Sequence, residues 1–194
     1  IVDILDASKL EKEYENIELI DAKGCYVTPG FIDLQLNGCG GVLFNDDISE
    51  KTLEIMYKTN LKFGCTSFTP TLITTSDENI LKAISLVENI DKEKYGVIGL
   101  HIEGPYINVE KKGIHNPKFI RAAEDKIIDR IIETGKENVR IITLAPEKTD
   151  KKVISKLYKA GINVALGHTN GTYEELKEKE GYGVTSVSYT HLRA

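Results

Sequence analysis

Gly96-Val97-Ile98-Gly99-Leu100-His101-Ile102-Glu103-Gly104-Pro105 is the stretch from which the fold of this chain is read. It opens as a short apolar run bounded by glycine, the form taken by a strand buried on both faces of a parallel sheet. It closes on a histidine and a glutamate that alternate along one face, after which Gly-Pro turns the chain away. A carboxylate at the end of a buried strand is costly unless it is paired or holds a cation. Glu103 therefore reads as a metal ligand or a general base. His101, further inside the strand, reads as a core histidine with satisfied hydrogen bonds.

Outward from this stretch the pattern repeats. Apolar runs at 30–36, 66–73, 95–102, 139–144, 163–166 and 184–187 alternate with helix-like segments at 49–63, 77–89, 121–134, 149–160 and 172–180. The helix ends have local causes. Ser76 or Asp77 can cap the second helix and Thr149 the fourth by accepting unpaired amide hydrogens. Gly64, Gly135 and Gly161 stand where the first, third and fourth helices need a left-handed residue to stop. Ile127, Ile128, Ile131 and Ile132 make one apolar stripe on the third.

Such alternation gives an α/β parallel sheet with right-handed crossovers. Taken alone, it fits an open doubly wound sheet or most of a (β/α)8 TIM-like barrel. A whole barrel takes about 250 residues, and this chain has 194, so the barrel would be partial, with about six strands. Residues 1–28 read as the remnant of a small β-sandwich, with a turn at 22–24 leading to Tyr26 and Val27. Residues 29–187 form the barrel part.

Composition narrows the function. A net charge of −5, with 28% charged and 41% hydrophobic residues, describes an ordinary globular chain. It lacks the basic stripe of a nucleic-acid binder, and its apolar runs are too short to cross a bilayer. Three cysteines at no metal-like spacing argue against a disulfide framework and for a reducing cytoplasm.

The remaining chemistry gathers just past the strand ends, where α/β barrels and sheets build their sites. Gln35 and Asn37 alternate with Leu34 and Leu36, so both amides face one side of the first strand and can orient a substrate or water. An ordinary polar turn remains the alternative there. His168 follows the fifth strand in Gly167-His168-Thr169-Asn170. Imidazole is a common neutral metal ligand, and Glu plus His from neighbouring strand ends makes an open divalent site. Lys111, Lys112 and His115, in the loop after Glu103, could meet an anionic substrate or could form a plain exposed loop. The charged helix around Glu174, Glu175, Lys177, Glu178 and Lys179 reads as a solvated face.

Five motifs in order resemble the N-acetylglucosamine-6-phosphate deacetylase family of metal-dependent amidohydrolases: 28–41, 99–105, 111–117, Thr143-Leu144-Ala145-Pro146-Glu147, and 167–170. The resemblance implies a (β/α)8-type barrel with a small β-sandwich built from both chain ends. It also implies one divalent metal ion, Zn2+-like, held by Glu103 and His168, with Ile114 and His115 contacting the sugar phosphate. Gln35 and Asn37 stand where many amidohydrolases carry a His-x-His pair, which fits a single-metal site. The implied reaction is hydrolysis of the acetamide of an amino sugar phosphate by a cytoplasmic, homodimeric enzyme.

The chain departs from the pattern at its end. The family's second metal-binding histidine would fall at Tyr189, whereas Thr190-His191-Leu192 comes two residues late. His191 is thus a displaced candidate for the metal, and 188–194 reads as a non-native tail. The catalytic aspartate is expected beyond Ala194, and the 194-residue chain alone is expected to be inactive. Another amidohydrolase, a non-catalytic sugar-phosphate-binding protein and a bare fragment are the competing readings.

Overall fold

The computed structural model describes Ile4, Asp6, Glu18 and residues 20–188. Its strands are β1 (Phe31–Leu36), β2 (Cys65–Ile73), β3 (Leu100–Glu103), β4 (Val139–Leu144), β5 (Asn163–Leu166) and β6 (Val184–Val187). They form one six-stranded sheet in chain order, with every neighbouring pair parallel. The sheet curls until the Ser188 hydroxyl, just past β6, donates to Gln35 Oε1 on β1 at 3.2 Å. This is the partial barrel, not the open sheet. Among the described helices none is long and apolar enough to cross a membrane.

Five helices cover the outside: α1 (Glu50–Leu61), α2 (Asp77–Asn89), α3 (Asp125–Thr134), α4 (Lys151–Lys159) and α5 (Tyr173–Glu180). Ser49 and Ser76 cap the first two, accepting from Thr52 N at 3.2 Å and Asn79 N at 3.3 Å. The fourth cap corrects the expectation. Asp150 accepts from Lys152 N at 2.7 Å, while Thr149 turns inward and donates its hydroxyl to Ala145 O at 3.2 Å. The third helix starts four residues late because Arg121 is engaged elsewhere, donating to Thr75 O (2.9 Å) and Phe119 O (2.7 Å) and pairing with Asp77. Strand β3 begins at Leu100, since Val97 makes only an isolated bridge to Phe68.

The two faces of the sheet divide the labour. Phe68, Leu72, Ile102, Ile142 and Val164 pack outward against Leu53 and Met56 of α1, Ile84 and Val87 of α2, Ile128 and Ile131 of α3, and Ile154 and Leu157 of α4. Each fully buried side chain of this kind contributes about 1.5–3 kcal/mol. The alternate positions Thr69, Thr71, His101, Glu103 and Thr143 are equally buried but polar. The curl turns them toward its interior, so the sheet that makes the core also lines the site. The acidic and basic face of α5 stays exposed.

The turn expected near Ala22 is present, with Cys25 N donating to Ala22 O at 2.9 Å. Tyr26 and Val27 have no strand pairing among the described residues. Most of 1–19, and with it most of the expected β-sandwich remnant, lies outside the described residues. So does the tail after Ser188, including His191.

Candidate active site

Glu103 ends β3 on the inner face and is only 3% exposed. Its Oε1 accepts a hydrogen bond from Gln35 Nε2 at 3.1 Å and lies 3.0 Å from His168 Nε2 and 3.9 Å from His115 Nε2. Burial works to raise the Glu103 pKa, but the His168 hydrogen bond and the neighbouring histidines prevail and hold it below the ordinary range. Donor atoms of Glu103, His115 and His168 all fall within 4.8 Å of one another.

His168 sits in the turn that leaves β5, at a left-handed φ of 51°. A non-glycine residue pays about 1–2 kcal/mol for that conformation, and its surroundings hold it there. Its carbonyl accepts from Asn108 N at 2.9 Å. Glu147 then binds three donors at once: Asn108 Nδ2 (3.0 Å), Thr169 Oγ1 (2.5 Å) and Asn170 N (2.9 Å). One carboxylate thus ties together the loops after β3, β4 and β5.

The ring of His168 is oriented by Lys111 O, 2.8 Å from Nδ1. A carbonyl can only accept, so Nδ1 carries a proton and Nε2 presents its second valence to Glu103. Two acceptors 3.0 Å apart need a proton or a cation between them. Burial pulls the His168 pKa down, but Glu103 and the Lys111 carbonyl raise it above the ordinary value. The same position that attracts a proton suits a divalent cation, which a buried carboxylate and an imidazole nitrogen would hold.

His115 is buried beside them, its ring centroid 4.3 Å from that of His168. Its Nδ1 faces Thr74 Oγ1 at 2.7 Å and receives Thr74 N–H at 3.4 Å. Burial first, then His168, pushes its pKa down to about 4, so the ring is neutral at pH 7.

Of the residues singled out in the sequence, the fold brings Glu103, His168, His115 and Gln35 together. Ile114 does not join them and points outward, 88% exposed. Asn37 gives its carbonyl to Phe44 N at 2.9 Å, and its amide makes no hydrogen bond to the cluster among the described residues. His101 is held between Leu34 O (2.9 Å) and Thr143 Oγ1 (2.7 Å), as a core histidine should be. Thr143 and Thr74, without a role in the sequence reading, also line the site, and so does Ser188, the first residue of the segment read as a tail. Thr143 Oγ1 lies 3.3 Å from Ser188 Oγ, which joins the Gln35 amide, and Thr74 grips His115.

This curled β/α sheet, with a carboxylate and histidines at its strand ends, matches the amidohydrolase family over residues 26–194, and the chain belongs to that family. Among curated relatives it is 47% identical to an N-acetylglucosamine-6-phosphate deacetylase of Haemophilus influenzae, over 97% of this chain and 50% of that one. It is 36% identical to an N-acetylgalactosamine-6-phosphate deacetylase of a Shewanella species, over 84% of this chain and 41% of the relative. The crystal structure of N-acetylglucosamine-6-phosphate deacetylase from Pasteurella multocida superposes with a TM-score of 0.84 at 44% identity, covering 91% of this chain and 47% of that one. The chain spans about half the length of the curated relatives it matches.

Proposed function

We propose that this chain is the metal-holding part of an enzyme that hydrolyses the acetamide of N-acetylglucosamine 6-phosphate to glucosamine 6-phosphate and acetate. The observation that carries the reading is Glu103 Oε1 standing 3.0 Å from His168 Nε2 at two strand ends of an amidohydrolase sheet. Glu103 and His168 would hold one divalent ion, Zn2+ by the character of the donors. That ion, when bound, supplies Lewis acidity that polarises the amide carbonyl and makes water a better acid. Gln35 fixes the Glu103 carboxylate through its amide, and His115 faces the same space, where it can stabilise charge growing on the carbonyl oxygen. The implied enzyme is a cytoplasmic homodimer, a reading that three unpaired cysteines support for the compartment.

Acetate release from N-acetylglucosamine 6-phosphate tests this. Both the 194-residue polypeptide and the product of the source reading frame continued past Ala194 should be measured. The longer product is expected to turn over, to lose activity with a chelator and to lose metal and activity together in Glu103→Gln. The 194-residue polypeptide is expected to be inactive. Faster turnover of N-acetylgalactosamine 6-phosphate would reassign the sugar, and saturable binding indifferent to chelator, without turnover, would mark a non-catalytic binding protein.

A further inference from the structure

Thr74 stands at the carboxyl end of β2, one residue past Ile73. Thr74 is 5% exposed, and both its hydroxyl and its backbone N–H meet one atom, His115 Nδ1, at 2.7 and 3.4 Å. An N–H can only donate, so Nδ1 is the acceptor and the single proton of the neutral ring sits on Nε2. His168 shows the opposite arrangement, since its Nδ1 faces a carbonyl, Lys111 O at 2.8 Å. Two imidazoles with centroids 4.3 Å apart are therefore set to opposite tautomers by what each Nδ1 meets. One offers a lone pair to the shared space, and the other offers a hydrogen.

The surroundings hold Thr74 for this task. Asn45 braces the preceding residue from both sides, donating to Ile73 O at 3.0 Å and accepting from Ile73 N at 2.8 Å. Arg121 holds the following carbonyl, Thr75 O, at 2.9 Å. Gly104, at φ +80°, leaves the room: a Cβ there would lie 2.2 Å from Thr74 Oγ1.

We propose that Thr74 is a positioning residue that fixes His115 as the Nε2–H tautomer, keeping it out of the metal's coordination and making it a hydrogen-bond donor toward the substrate's amide carbonyl. The proposal rests on the deacetylase reading for the identity of that carbonyl, but not for the tautomer.

The test uses the Zn2+-loaded product of the full reading frame with 15N-labelled histidine. Long-range proton–nitrogen spectra show which ring nitrogen carries hydrogen. The expected result is Nε2–H for His115 and Nδ1–H for His168. Thr74→Val keeps the shape and deletes the hydroxyl. It should mix the His115 tautomers and lower kcat about 10–100-fold, with KM and metal affinity held within about threefold, the size of effect that outer supporting groups produce. Thr74→Ser should restore both spectrum and rate. Nδ1–H on His115 in the unaltered protein overturns the proposal whether or not either variant folds. So does a Thr74→Val spectrum like the parent's, or a Thr74→Ser no better than Thr74→Val. Absence of turnover by the parent removes the deacetylase reading alone, and the spectra still decide Thr74.

Discussion

Glu147 shows how a residue away from the Glu103–His168 pair holds the turn that carries one of them. Burial raises its pKa, but donors from Thr169, Asn170 and Asn108 outweigh it and hold the carboxyl below its ordinary range. A carboxylate depressed in this way adds stability above its unfolded pKa, near 4.5, and that stability is lost as pH falls through the lower folded value. Glu147→Gln should therefore melt lower than the parent at pH 7, and the difference should shrink in acid below about pH 4.5. Equal melting temperatures at pH 7 would contradict this. Single residues were also where the sequence was least complete. Glu103 was legible because burial makes a carboxylate at a strand end costly, and His168 because an imidazole at a neighbouring strand exit can share a cation with it. Thr74 and Thr143 were not, because a hydroxyl at a strand end has no such cost and gains meaning only from the partner that folding brings to it.

At the scale of elements, pattern carried most of the information. The isoleucine stripe of α3 faces the core as its spacing implied, with Ile127, Ile128 and Ile131 buried. Ile128→Ala removes a wholly buried side chain from a helix held mainly by that face. It should cost about 2–5 kcal/mol in denaturant unfolding, and a loss below 1 kcal/mol would show that α3 does not depend on its stripe. Element boundaries erred where a side chain had a better use than its local one. Thr149 gave up the cap to reach Ala145, and Arg121 left the first turn of its helix for Asp77 and Thr75. Both partners are set by tertiary contact, which periodicity does not encode.

At the scale of the whole molecule, the sheet ends at β1 and β6 among the described residues. The β1 end also shows apolar surface, with Phe31 at 70% exposure and Ile32 and Leu34 exposed beside it. Unpaired strand edges with apolar neighbours promote edge-to-edge association. The 194-residue polypeptide should therefore associate with rising concentration in sedimentation velocity runs, and Ile32→Lys should weaken that association. A monomer at every concentration would contradict it.

Because each strand pairs with the next one made, assembly can follow the direction of synthesis. A ribosome releases about 5–20 residues per second, so β1 and β2 can join seconds before His168 exists. The contact that closes the curl, Ser188 to Gln35, spans 153 positions and must wait for the last of them. The growing chain thus gains its core one strand at a time and the pairing of Glu103 with His168 late.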